Sequence, residues 1–404
     1  MKHTKLLSFG LMLLFVAFLV PSKARAQEVT VTSGIPFSSA IGEGQSSPTT
    51  LYLDFYEPAG DTSQMRPLVI TVFGGAFLAG SRDYVDMVAY CTRMAQQGFV
   101  AASIDYRLLS WLQISHDGLI RDAYMAAQDL SSAIRFLKYH CEEYRIDPDR
   151  IFLLGNSAGS IAILTEVFYD ESERPQETFN EPDLGPIHSS GYPEYADVSP
   201  QVTGAIAQWG GVLSPDDVDA EEYVPLCMIH GTEDVTVPYD SGYCFANYGL
   251  SFMPYMYGSH AIAARLDELG ITDYEFHPFE GEEHCFYLDN SYNLIEEKFN
   301  ACFDIALNFI TRHLDSPGST FESAQPSVEV SPNPATHSVA LHAECLLQDG
   351  PYRIQVFDVN GRTWANERVD APRYDMDVSQ WPSGLYLIQF EQGSKRFSQK
   401  LLKR

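Results

Sequence analysis

Between residues 51 and 314 the chain alternates short apolar runs with amphipathic stretches of helical length, and this alternation constrains the fold more than any other feature. Segments 68–73, 99–106, 150–155, 202–209, 225–230 and 274–279 read as strands. Segments 84–97, 118–144, 158–168, 258–269 and 291–313 carry helical periodicity between or after them. A strand that is followed by a helix before the next strand returns to the same edge, so its neighbour pairs in parallel. The expected class is α/β, a mostly parallel, doubly wound sheet with helices on both faces. Such a sheet collects ligands at the carboxyl ends of its strands. Stretches 169–200 and 241–257 break the pattern, the first rich in Asp, Glu, Pro and Gly and the second in aromatics, and either could cover a site.

Beyond residue 325 the period changes. Segments 338–346, 352–359, 363–369, 374–378, 385–391 and 394–402 read as short strands separated by turns, with Asn360-Gly361 as a hairpin signal because both residues accept positive φ. That is the pattern of a small β-sandwich. Residues 315–325, with Ser, Pro and Gly, read as a linker. The first 26 residues are an address. Lys2 and Lys5 precede an apolar run from Leu6 to Val20, too short to span a bilayer, and Ala24-Arg25-Ala26 supplies a cleavage site before Gln27. The expected division is a signal peptide at 1–26, a catalytic body at 27–314, the linker, and a sandwich at 326–404.

Lys and Arg number 26 against 54 Asp and Glu, a net charge of −28. The last 81 residues hold nine of each sign, so the body carries the acidity. Such a surface repels polyanions and excludes phosphate-backbone binding as a main activity. Seven cysteines follow the address, and export would permit disulfides, whose pairing spacing alone does not give. No CxxC and no His/Cys cluster has metal-ligand spacing, so neither a metal nor a cofactor is expected.

The chemistry concentrates at Gly155-Asn156-Ser157-Ala158-Gly159, between an apolar strand and an apolar helix. A sharp strand-to-helix turn lifts the serine hydroxyl above the sheet, and glycines two residues either side avoid clashes with the neighbouring elements. A serine needs a base, and the base needs an orienting carboxylate, in the order Ser, acid, His for this architecture. Asp234 lies in the loop after strand 225–230, and His284 in the loop after strand 274–279. Glu233, adjacent to Asp234, would point elsewhere, and Asp240 lies further from the strand end. His230 ends its strand and reads as turn-stabilising. His260 and His313 lie in helices and His277 within a strand. Gly74-Gly75-Ala76 follows the first strand of the alternating region, and its backbone could approach a substrate closely. The amides of Gly75, Ala76 and Ala158 are the candidate oxyanion donors.

These motifs make residues 45–314 resemble an α/β-hydrolase of the carboxylesterase and hormone-sensitive-lipase-like group: Phe73-Gly74-Gly75-Ala76-Phe77, Asp105-Tyr106-Arg107-Leu108, the run 146–151 leading into the serine turn, then the loops at 230–238 and 281–284. Many relatives have a loop-holding His where this chain has Phe73. The resemblance implies a cofactor-free serine ester hydrolase, with Asp105-Tyr106-Arg107 structural. It also implies short-chain or plant-polysaccharide acyl esters, acetyl or feruloyl, as substrates. Alternatives on the same residues are a serine peptidase of the prolyl-oligopeptidase type and a non-catalytic surface binding protein. Residues 326–404 resemble a type IX secretion sorting domain, through residues 330–334, 356–362, 382–386 and the terminal Lys400-Leu401-Leu402-Lys403. That implies the type IX machinery as a partner, passage through the periplasm, and release or attachment at the cell surface, with no transmembrane segment in the mature chain and no nucleic acid. A carbohydrate-binding sandwich, displaying Trp364 and Trp381, is the competing expectation.

Overall fold

The structure is a computed structural model that describes residues 27–60, 65–110, 114–189, 191–220, 223–250, 252–314, 329–331, 335–342, 351–358, 362–371, 373–392 and 395–404. The address, the linker and the Asn360-Gly361 turn lie outside the described residues. The chain divides into two compact units, one ending at residue 316 and the other beginning at 317.

In chain order the first unit contains β1 (Val29–Ala40), β2 (Thr49–Pro58), β3 (Arg66–Val72), α1 (Val85–Gln96), β4 (Val100–Ile104), α2 (His116–Tyr139), α3 (Cys141–Tyr144), β5 (Ile146–Asn156) and α4 (Ala158–Phe168). It continues with β6 (Gly204–Gln208), β7 (Gly211–Val212), β8 (Leu226–Gly231), β9 (Ser241–Tyr243), β10 (Tyr255–Gly258), α5 (Ser259–Glu268), β11 (Tyr274–Phe279) and α6 (Glu296–Leu314). Eight strands form one sheet in the order β1-β2-β4-β3-β5-β6-β8-β11. From β4 to β11 every pairing is parallel, whereas β1, β2 and β4 pair antiparallel. Central strands β3, β4 and β6 are buried almost throughout, as a sheet covered on both faces requires.

The β1–β2 hairpin was not expected from the sequence. Val29, Val31, Ile35 and Phe37 alternate, but half of β1 is exposed, and register shifts between Thr32 and Ile35 and between Pro36 and Ser38 keep that alternation from marking one buried face. The expected helix 118–144 is two helices, broken at His140, and the last helix begins at Glu296 rather than 291 because a turn with Tyr292 at φ 59° precedes it. Stretch 241–257 is not a plain excursion. It forms a hairpin of β9 and β10, joined to β7 in a separate three-stranded sheet.

The second unit contains β12 (Glu329–Ser331), β13 (Ser338–His342), β14 (Tyr352–Asp358), β15 (Thr363–Val369), β16 (Arg373–Asp377), β17 (Gly384–Gln392) and β18 (Lys395–Lys403). Its two antiparallel sheets, β12-β13-β16 and β15-β14-β17-β18, share one core that includes Val339, Leu341, Ile354, Val356, Ile388 and Phe390. Trp364 and Trp381 are half-buried and pack against Tyr386, and the Trp364 indole N–H donates to Asp358. Neither is a free-standing aromatic platform. Among the described residues, no helix is long and apolar enough to cross a membrane.

Candidate active site

Ser157 sits between β5 and α4 with φ 51° and ψ −121°, a backbone region that an L-residue occupies only under strain. The neighbouring glycines permit it. A Cβ on Gly159 would lie 2.1 Å from the Val72 carbonyl oxygen, and one on Gly155 would lie 2.8 Å from the Gly159 carbonyl carbon. The Ser157 amide donates to the Gln208 carbonyl of β6 at 2.9 Å, which ties the turn to the sheet. Its hydroxyl caps nothing in α4 and donates to His284 Nε2 instead, at 2.8 Å.

His284 Nδ1–H donates to Asp234 Oδ2 at 2.6 Å. Asp234 is buried, and its other oxygen, Oδ1, accepts the amides of Thr236 (2.8 Å) and Val237 (3.1 Å). Burial opposes its charge, but hydrogen bonds from His230 and His284 outweigh that and hold the carboxyl down at about 2. Burial also opposes charge on His284. The Cys285 sulfur and the Asp234 carboxylate work the other way, and the net direction is upward. The carboxylate therefore stays ionised and favours the imidazolium that forms when His284 accepts a proton.

The three residues expected from the sequence thus converge from separate loops. Their supports were not expected. His230 does more than stabilise a turn: its Nε2–H lies 3.1 Å from the Val237 carbonyl and 3.3 Å from Asp234 Oδ2, while its Nδ1 accepts the Ser259 hydroxyl at 2.8 Å. Trp209, fully buried with φ 39°, sets its ring edge against His284 at 6.3 Å between centroids. Asn156 Nδ2 donates to Asp86 Oδ2 (2.6 Å) and to the Tyr287 hydroxyl (2.8 Å), and Tyr287 reaches Gln208 Oε1 at 3.1 Å. This buried network links the residue before Ser157 to the turn that carries His284. Asn156, inside the serine motif, was its only legible member. Glu233, Asp240, His260, His277 and His313 take no part: Asp240 pairs with His260, and His277 donates to Glu275.

The loop after β3 turns through three consecutive positive φ angles, 134° at Gly75, 54° at Ala76 and 61° at Phe77. Leu78 and Ala79 amides donate to the Gly75 carbonyl, and the Leu109 amide donates to that of Phe77. A Cβ on Gly75 would lie 1.8 Å from the Ala79 carbonyl oxygen, so only glycine fits there. Among the described residues, nothing accepts the amides of Gly75, Ala76 or Ala158. Phe73 braces this loop through Tyr106. Its ring stacks on Tyr106 (4.2 Å, 20°), and the Tyr106 hydroxyl donates to the Phe73 carbonyl at 3.0 Å. Asp105 and Arg107 are structural: Asp105 accepts from Arg82, and Arg107 forms a buried ion pair with Asp129.

An apolar cavity, part of it open to solvent, adjoins Ser157, Ala76 and Ala158. Gly75 is not among its lining residues. Two groups of possible metal ligands exist among the described residues, Cys227/Glu275/His277 and His116/Asp117/Glu177. In the first, Glu275 is already shared between His277 and Arg312, and in the second His116 pairs with Asp117. Neither group touches Ser157. The six described cysteines, Cys91, Cys141, Cys227, Cys244, Cys285 and Cys302, are unpaired thiols.

Residues 53–182 match the BD-FAE family model, and residues 329–404 match that of the secretion system C-terminal sorting domain. The chain thus carries an α/β-hydrolase domain and a C-terminal sorting domain. This hydrolase is 26% identical over 221 residues to a probable isoprenylcysteine alpha-carbonyl methylesterase of Arabidopsis thaliana, covering 48% of this chain and 44% of that one. It is 25% identical over 196 residues to carboxylesterase 1C of Rattus norvegicus, covering 47% and 34%. It is 28% identical over 121 residues to the fumonisin B1 esterase of Sphingopyxis macrogoltabida, covering 28% and 22%. The hydrolase thus spans less than half the length of these curated relatives. Among solved structures, propionate-bound esterase 2 of Thermogutta terrifontis aligns with a TM-score of 0.47 and 23% identity, over 74% of this chain and 99% of that one.

Proposed function

We propose that the hydrolase unit is a serine carboxylic-ester hydrolase working through an acyl-enzyme. The observation that carries this is the unbroken relay from Ser157 Oγ through His284 to Asp234, at 2.8 and 2.6 Å, beside a cavity bordered by Ala76 and Ala158. His284 Nε2 takes the serine proton as Oγ attacks the ester carbonyl. The amides of Gly75, Ala76 and Ala158 hold the oxyanion, and each such donor supplies roughly 10²–10³ in rate. Because the elbow and the loop are already strained into place, little reorganisation is left for the moment of reaction. His284 then protonates the leaving alcohol, and water, deprotonated by the same imidazole, releases the acid. Esterase names among the relatives and the apolar cavity both favour an ester over a peptide. Short-chain acyl groups or the acyl decorations of plant polysaccharides are the proposed substrates.

The sorting domain supports a second part of the proposal. Residues 27–314 are the catalytic body, 315–325 a tether and 326–404 an address read by the type IX machinery, after a cleaved signal peptide at 1–26 has delivered the chain to the periplasm. Ser157→Ala should abolish hydrolysis of nitrophenyl butyrate in a folded variant. Retained turnover would refute Ser157 as nucleophile, and cleavage of a peptide anilide without ester cleavage would favour a peptidase.

A further inference from the structure

The cavity has a direction. Ala158, Ile161, Thr165 and Tyr169 line it, and they follow one another at helical spacing on one face of α4 and its cap. At 1.5 Å rise per residue they lie about 4.5, 10.5 and 16.5 Å along the axis from Ala158. The cavity therefore runs from the nucleophile along α4 and ends at Tyr169. Among the described residues, no Asp, Glu, Lys, Arg or His lines it. The opposite wall is built from the β9–β10 hairpin and the loop within it, through Cys244, Phe245, Met253 and Met256.

Beyond Tyr169 lies a second hollow, open and polar, bordered by His116, Glu173, Glu177 and Asp217. Five residues line both spaces: Ile120, Tyr169, Pro175, Leu213 and Pro254. The partition is thus one side chain thick. Tyr169 is almost fully buried, and its hydroxyl donates to Asp217 Oδ2 at 2.5 Å, so its polar end is turned out of the apolar space. Asp217 is itself fixed, because the same oxygen accepts the Ser214 amide at 2.9 Å within a reciprocal Ser214–Asp217 cap.

We propose that Tyr169, anchored by Asp217, is the stop that sets acyl length, and that the acyl side of the substrate is an uncharged apolar chain lying along α4. The inference rests on the ester-hydrolase reading of Ser157. A chain short enough to end before the tyrosine ring buries its methylenes against Ile161 and the hairpin methionines. A longer one must displace a buried ring and break its hydrogen bond to a fixed carboxylate. Removing the ring joins the cavity to the polar hollow and lets the chain end emerge into water.

The test is a chain-length profile of kcat/KM on nitrophenyl acetate, butyrate, hexanoate, decanoate, myristate and palmitate. Each methylene in such a pocket is worth roughly 10–200-fold in discrimination. Tyr169→Ala should raise the palmitate-to-butyrate ratio at least about tenfold. Thr165→Phe, which fills the cavity midway, should lower the hexanoate-to-acetate ratio by a similar factor, and it keeps the proposal testable if Tyr169→Ala does not fold. Tyr169→Phe, which keeps the ring and loses the anchor, should relax the limit less than Tyr169→Ala does. Unchanged ratios in folded, Ser157-dependent variants would overturn the stop. Turnover that survives Ser157→Ala in the same background would instead overturn the nucleophile assignment.

Discussion

Replacing Asp234 with asparagine tests the relay at the atom that defines it. Asp234 Oδ1 accepts two backbone amides, from Thr236 and Val237, and Oδ2 faces the N–H groups of His284 and His230. An asparagine has one oxygen, and two main-chain donors cannot face an NH2 group, so that oxygen must take the Oδ1 place. The amide nitrogen then faces His284 Nδ1. A donor there forces Nδ1 to accept and moves the ring proton to Nε2, where it confronts the Ser157 hydroxyl and can no longer receive its proton. Loss of the correct tautomer costs about 10⁴ in kcat in serine proteases with this geometry, a measurement made on another protein. That is about 5.4 kcal/mol of barrier. KM should change little, because Asp234 does not line the cavity. A second signature lies in the pH profile. In the parent enzyme the imidazole titrates above its ordinary value, and activity rises with pH as the ring loses its proton. Without the carboxylate, whatever rate remains should reach its plateau at lower pH. Steady-state kinetics on nitrophenyl butyrate across pH 5–10, with circular dichroism to confirm folding, would measure both. A folded Asp234→Asn variant that loses less than tenfold, with an unmoved acid limb, would refute the relay.

Two further outcomes follow from the packing and the charges. Gly159→Ala places a methyl 2.1 Å from the Val72 carbonyl and should cost several kcal/mol in chemical denaturation, beyond the roughly 1–3 kcal/mol usual for overpacking, because backbone rather than a side chain blocks it; a cost below 1 kcal/mol would mean the elbow is looser than drawn. Asp234 is held from 3.8 down to about 2, so its contribution, on the order of 2 kcal/mol, is present above the unfolded value near 4 and is lost as pH falls through 2. Melting temperature should therefore fall more steeply between pH 4 and 2 in the parent than in Asp234→Asn, and parallel curves would contradict it.

Much of the fold was legible because its signals are local. The expected strand 274–279 and helix 158–168 coincide with β11 and α4, since each is written in a contiguous apolar pattern. Stretches whose burial comes from distant neighbours misled. β1 pairs with β2 at a sheet edge and is half exposed, and β10 of the β9–β10 hairpin pairs with β7, about 45 residues earlier in the chain. The same contrast holds inside the site. Ser157 is announced by its two glycines, and Asp234 and His284 by the order in which loops leave the strand ends. His230, Trp209, Asp86 and Tyr287 carry no such mark. Each becomes part of the site only through a contact across 4 to more than 200 residues of chain, and a buried polar residue in isolation reads as structure.

Read alone, the residues determined which groups could do chemistry and which edge of the sheet would present them, because a strand-to-helix turn of this composition has one low-energy shape and the hydrophobic period sets which face is buried. Folding in three dimensions decided the rest: how Phe73 and Tyr106 brace the loop after β3, which oxygen of Asp234 meets which donor, and where the apolar cavity stops. Those outcomes depend on distances between segments far apart in the chain, and close packing sets such distances to fractions of an ångström that no local pattern encodes.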